Sequence, residues 1–198
     1  MKQLLIIAFV LLLVSGLKSQ QLRIDANAGI AIVEFPHSKR IVLSNAFNLG
    51  YEFISSSSTW QFVITPGILR LAYGFDDTSA ANHFNQMIFL TLTPTIKKYS
   101  SISRRSSAFM EFGIYGAHLL TNKDQINSGG TLTENKINNA GYNFGLFTKF
   151  GFKTAFSSKL FVDIHLSGQK ELANKYSNPL NKVSFNQIGL GFSIYRSL

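Results

Sequence analysis

The chain has 198 residues, no cysteine, a net charge of +9, and only 15% charged residues, against about 25% in ordinary soluble domains. Without cysteine it has no disulfide, no thiolate metal site and no lipoprotein anchor. The length suits one domain, and after the first residues no apolar run is long enough to cross a membrane as a helix.

An export signal opens the chain. Lys2 supplies a positive start, Leu4 to Val14 is an unbroken apolar run, and Gly16 and Ser19 are small residues beyond it. Cleavage after Ser19 is predicted, giving a signal peptide over 1–19 and a barrel domain over 20–198. The apolar run is too short to span about 30 Å of hydrocarbon, so a retained anchor is disfavoured.

Eight alternating stretches follow, and period two predicts strands rather than helices. In Leu22 to Val33, Leu22, Ile24, Ile30 and Ile32 share one face, and Arg23, Asp25, Asn27 and Gly29 the other. In Ile41 to Ile54, Phe47, Leu49, Tyr51 and Phe53 oppose Ser44, Asn48, Gly50 and Glu52. The third stretch, Thr59 to Phe75, starts with Trp60, Phe62 and Ile64. Pro66-Gly67 inside it predicts a bulge and a change of phase to Leu69, Leu71 and Tyr73. The fourth, Phe84 to Lys97, sets Ile88, Leu90, Leu92 and Ile96 against Thr91, Thr93 and Thr95.

The fifth, Ala108 to Leu120, sets Met110, Phe112 and Ile114 against Glu111, Gly113 and Tyr115. The sixth, Ala140 to Thr154, opposes Tyr142, Phe144, Leu146, Phe150 and Phe152 to Asn143, Gly145, Lys149 and Lys153. The seventh starts at Leu160, with Val162, Ile164 and Leu166 against Asp163, His165 and Ser167. The last carries Ile188, Leu190, Phe192 and Ile194 against Gly189, Gly191 and Ser193. Links after the second and sixth stretches are tight. Those after the first, third, fifth and seventh read as longer loops, notably Thr121 to Asn139 and Gly168 to Lys182.

Few charges, an apolar face and a Gly, Asn, Ser and Thr face predict an all-β, eight-stranded antiparallel up-and-down barrel that crosses a Gram-negative outer membrane. A soluble ligand-binding barrel of the periplasm would put its apolar face inward and many Lys, Glu and Asp outward. Tyr51, Phe53, Trp60, Tyr73, Phe75, Tyr142 and Phe152 lie near strand ends, where aromatic girdles sit.

Leu92-Thr93-Pro94-Thr95-Ile96-Lys97-Lys98-Tyr99, the closing Ile188-Gly189-Leu190-Gly191-Phe192-Ser193-Ile194-Tyr195 and the strand count resemble the small outer-membrane barrels called PorT-like, with OmpX-type architecture. That resemblance implies a role near secretion or envelope assembly, and a monomer built into the membrane by the barrel-assembly machinery. The chain departs from many such barrels in ending Arg196-Ser197-Leu198, with its last aromatic at Tyr195.

By parity the inward charges are Arg23, Arg70, Lys149 and Lys153 with Asp25, Glu52, Glu111 and Asp163, beside His165. Buried charges need partners, so these residues predict a paired network in the lumen. His165 and Ser167, with Glu171 further on, resemble the His-x-Ser pair and Glu of outer-membrane lipid A deacylases, with His as base, Ser as nucleophile and Glu as orienter. That arrangement is the enzymatic alternative, a lipid A acyl hydrolase. Lys39, Arg40, Lys170, Lys175 and Lys182 are candidate contacts to lipopolysaccharide phosphates. Gly189-Leu190-Gly191 lacks the third glycine and helix of a nucleotide loop. No cofactor, metal or nucleic-acid partner is predicted.

Overall fold

The computed structural model describes residues 19–35, 38–54, 60–76, 82–128, 130–136, 141–176 and 183–198. The predicted signal segment therefore lies outside the described residues except for Ser19, which opens β1. Nine strands run in chain order: β1 Ser19–Phe35, β2 Ser38–Ile54, β3 Trp60–Asp76, β4 Asn82–Ser101, β5 Ser106–Ser128, β6 Thr131–Lys136, β7 Gly141–Ala155, β8 Leu160–Tyr176 and β9 Ser184–Ser197.

Eight of them close a ring, β1-β2-β3-β4-β5-β7-β8-β9, in which every pairing is antiparallel and β9 returns to β1. The two chain ends meet in the wall, where the Leu198 amide donates to the Gln20 carbonyl at 3.0 Å. At this terminus end two four-residue turns, Ile102–Arg105 and Phe156–Lys159, share one construction. Ser103 Oγ accepts from the amides of Arg105 and Ser106, and Ser157 Oγ from those of Lys159 and Leu160. A serine hydroxyl that stands in for a backbone acceptor is a compact way to reverse a strand.

The opposite, loop end differs from the expectation. The link after β1 is short, because β1 and β2 stay paired up to Phe35 and Ser38. The predicted loop over 121–139 is largely strand: β5 runs on to Ser128 and turns back as β6, which pairs with β5 residues 123–128. Gly130 makes that turn at φ 84, a conformation that glycine adopts without steric cost. β8 likewise continues through 168–176, so that predicted loop is also half strand.

Side chains alternate strictly around the ring. Outward stand Leu22, Ile24, Ile30, Leu43, Phe47, Leu49, Ile68, Leu90, Leu92, Phe112, Phe144, Phe150, Ile164, Leu190 and Phe192, all exposed. The outward apolar run on β1, Leu22 to Ile32, has the length a tilted strand needs to cross hydrocarbon, about 9–11 residues. The polar face is inside, the reverse of a soluble barrel.

The predicted change of phase at Pro66-Gly67 does not occur. β3 pairs with β4 without a register shift from Trp60 to Asp76. Pro66 has no N–H, so it interrupts the ladder to β2 between Gly67 and Ile64, yet the register on either side is the same. Leu69 and Leu71 therefore point inward and are fully buried, Tyr73 turns toward the mouth of the lumen, and Arg70 stands exposed on the outer wall. The bulges lie elsewhere, between Ile88/Phe89 on β4 against β5, and between Phe144/Gly145 on β7 against β8.

Two substitutions separate wall from lumen. Ile164→Arg places a charge on the exposed apolar wall and is expected to cost about 2–4 kcal/mol if that height is mid-membrane. Gly145→Trp should prevent closure, because even a Cβ there runs into the Lys170 carbonyl and the Tyr115 ring. Refolding titrations into lipid vesicles read both, and a neutral Ile164→Arg would reverse the assigned faces.

Candidate functional site: the lumen and its two mouths

The interior has two halves of opposite character. Toward the loop end it is apolar: Val33, Val42, Leu69, Leu71, Met87, Phe89, Leu119, Phe147 and Phe185 are buried there with Tyr115. Phe89 on β4 meets Phe185 on β9 across the ring, at 5.2 Å between centroids. This plug was not foreseen from alternation. Its signal is the loss of alternation near the loop end of some strands, as in Ile30-Ala31-Ile32-Val33 and Met87-Ile88-Phe89-Leu90, where both faces are apolar.

Toward the terminus end the interior is ionic. The Arg23 guanidinium on β1 reaches Glu111 on the opposite strand β5 at 2.8 Å, Thr65 Oγ1 at 2.8 Å and Glu52 at 3.5 Å. Lys97 Nζ donates to Glu52 at 2.8 Å and to Tyr195 OH at 2.9 Å. Lys149 pairs with Asp25. Lys153 bonds Gln21 at 2.6 Å and Tyr99 OH at 3.0 Å, with Glu52 at 3.6 Å. Asp163 takes the Tyr195 hydroxyl and, at 2.7 Å, His165 Nδ1.

The structure thus brings together Arg23, Asp25, Glu52, Glu111, Lys149, Lys153, Asp163 and His165. Arg70 is the exception, and Lys97 stands in the place that Arg70 was expected to fill, so the lumen still holds four cations and four carboxylates. Lys97 shares the parity of Thr91, Thr93 and Thr95, and that pattern identifies it. Between the halves lies a cavity of about 20 Å³, lined among others by Asn48, Thr93, Gln169 and Gln187, which is room for about one water.

His165, Ser167 and Glu171 do not form a catalytic group. Residues two apart on a strand share a face but are separated by about 7 Å of backbone, and each finds its partner elsewhere. His165 Nε2 faces Asn27 Oδ1 at 2.8 Å. The Ser167 hydroxyl donates to Asn27 Oδ1 at 3.2 Å and to the Gly189 carbonyl at 3.3 Å. Glu171, just before the bulge and nearer the loop mouth, accepts from Asn143 at 2.6 Å and from the Phe185 amide at 2.9 Å. It ties the strand ends at the loop mouth.

The candidate phosphate contacts are scattered over the loop end. Lys39 is exposed and paired with Glu34 at 2.7 Å, which holds the Glu34 carboxyl below its usual range through that hydrogen bond. Arg40 lies half-buried over the Tyr73 ring at 5.5 Å. Lys170 and Lys175 are exposed on β8, and Lys182 lies outside the described residues. Of the predicted girdle residues, Trp60 has Lys98 over its ring at 5.1 Å at the terminus edge. Phe53 is buried between Tyr51 and Phe62. The Phe75 side chain is outside the described residues.

The fold and lumen define an antiparallel eight-stranded closed barrel of inverted polarity. No protein-family model matches the chain, and no curated protein matches it. Solved structures resemble it as a barrel. Ail, the attachment invasion locus protein of Yersinia pestis, in complex with a heparin analogue, is 14% identical with a TM-score of 0.44 and covers 89% of this chain and 98% of its own. Neisserial surface protein A is 11% identical with a TM-score of 0.45, covering 87% and 95%. A major outer membrane protein from Thermus thermophilus is 9% identical with a TM-score of 0.48, covering 90% and 99%. At these values none of their functions transfers.

Lys97→Met removes one cation from the buried network and is expected to cost about 3 kcal/mol. Adding Glu52→Gln should return part of that loss, as read by urea unfolding in vesicles. Ser167→Ala should leave the lipid A mass spectrum of expressing cells unchanged. A deacylated species seen with the intact chain and lost in the variant would establish the enzymatic alternative.

Proposed function

We propose that the chain is an outer-membrane β-barrel, non-enzymatic and non-conducting, that acts as a structural element or interaction platform through its loop end. The observation that carries this reading is the pairing of a predominantly apolar wall with a lumen occupied by neutralised charges and an apolar plug. Such a wall is stable only in contact with hydrocarbon, and such a lumen leaves no polar path from end to end. The extension of β4, β5 and β6 beyond the apolar belt, with every residue of β6 exposed, supplies surface at the loop end. The resemblance to PorT-like barrels directs the partners toward envelope assembly or secretion proteins. Lipopolysaccharide around Lys39, Lys170 and Lys175 fits the same placement.

The test is location and conductance. The mature chain should fractionate with outer membranes and migrate faster on gels before heating than after, as closed barrels do. Reconstituted in planar bilayers, it should give no stepwise conductance. Recovery in the soluble periplasmic fraction would overturn the membrane reading, and steady unitary currents would overturn the sealed lumen.

A further inference from the structure

The outer wall is not uniformly full. Across β3, β4, β5 and β7 the registers set two outward rows, Pro66–Leu92–Gly116–Phe144 and, one step nearer the loop end, Ile68–Leu90–His118–Tyr142. Gly116 is the gap in the lower row, for a Cβ built on it meets no atom within 4 Å. The result is a furrow of about 510 Å³ floored by Gly116, with Leu92 and Phe144 as its banks. Its upper end is closed by the His118 ring, stacked on Tyr142 at 4.5 Å and donating or accepting at the Gly141 carbonyl.

Toward the loop end from this furrow, on β3 and two strands from Gly116, stands the misplaced arginine. Arg70 is exposed on the wall, one step beyond Ile68 on the same strand, and its guanidinium donates to a neutral acceptor, Gln86 Oε1, at 3.3 Å. Gln86 in turn lies opposite Lys123 on β5, which lies opposite Lys136 on β6. One carboxylate shares this patch, Glu134, paired with Lys123 at 2.6 Å. Among the described residues, three cations against one anion therefore stand on the loop side of an apolar furrow, the side that the outer-membrane reading gives to the headgroups. A guanidinium fork at that height matches a phosphate monoester in shape and charge.

Resting on the outer-membrane reading above, we infer that this face holds one phosphorylated acyl lipid of the outer leaflet, of the lipid A type. One acyl chain fills the furrow over Gly116, and Arg70 takes the phosphate, with Lys123 and Lys136 above it. The site differs from the loop lysines on β2 and β8: Lys170 also edges a furrow, of about 320 Å³ beside Gly168, but it brings a single ammonium rather than a guanidinium fork.

The full chain, extracted from outer membranes in mild detergent, is examined by native mass spectrometry with added lipid A, with the same lipid dephosphorylated, and with inorganic phosphate as competitor. The intact barrel should retain one phosphorylated lipid. Arg70→Gln and Gly116→Trp, both on the exposed wall, should each weaken retention about tenfold, the loss of one good charge-assisted contact or its equivalent in packing. Arg104→Gln, in the turn at the other end, should not change it. Equal retention by either of the first two variants, equal retention of the dephosphorylated lipid, or displacement by millimolar inorganic phosphate overturns the site. Heat-shifted gel migration of each variant separates the two levels: a folded outer-membrane barrel without selective retention ends this inference alone, whereas a chain in the soluble fraction ends the membrane reading with it.

Discussion

Arg23 is the strut on which the ionic half of the barrel depends. Eight strands enclose a space just wide enough for side chains, so a charge that points inward cannot keep its water and must find a partner within reach. The guanidinium has five donors in a fixed fork. It uses them to join β1 to Glu111 on the strand opposite, and it also touches Thr65 on β3 and Glu52 on β2. Glu52 then collects Lys97 and Lys153, and Asp25 collects Lys149. Apart from Arg23–Glu52 on the β1–β2 hairpin, these ion pairs join strands that are not neighbours, so the network ties the wall across the lumen as well as neutralising it.

Much of this was legible in the chain before any coordinates. Period two located eight wall strands and both faces of most of them, because a one-residue error would turn every side chain over. The inward carboxylates and three of the four inward cations followed from the same parity. What misled was local. Pro66-Gly67 has the composition of a bulge, but here the proline only removes one donor from the ladder to β2, and the neighbouring β4 carries the register through. Composition cannot distinguish these outcomes, because the pairing that decides them comes from another strand. The same lack of long-range information hid β6, whose Thr, Glu, Asn and Lys read as loop until β5 supplies a partner.

The lumen also shows why shared parity does not make an active site. His165 and Ser167 do stand on one face, as the spacing requires. The lumen then offers each a closer partner than the other: Asn27 from β1 lies between them and engages both, and Asp163 takes the remaining ring nitrogen. Glu171 keeps the same register but lies four residues farther along β8, next to the bulge at Leu172, and serves the strand ends instead. A reactive serine needs a base with a free acceptor, and here the polar atoms are bound into the packing of the interior.

The division of the lumen into an ionic and an apolar half has a consequence for how such a barrel enters a bilayer. If strands are threaded from the periplasmic side, the loop end leads. Behind the polar tips of β5 and β6 that end carries apolar side chains on its inner face as well as its outer one, so the part that follows the tips into the hydrocarbon has little hydration to shed. The buried charges trail behind, close to the side of entry. They can remain solvated until β9 meets β1 and the ring closes over them. Placing the charges at the trailing end thus gives insertion a direction, and it delays desolvation of each ion until its partner is in place.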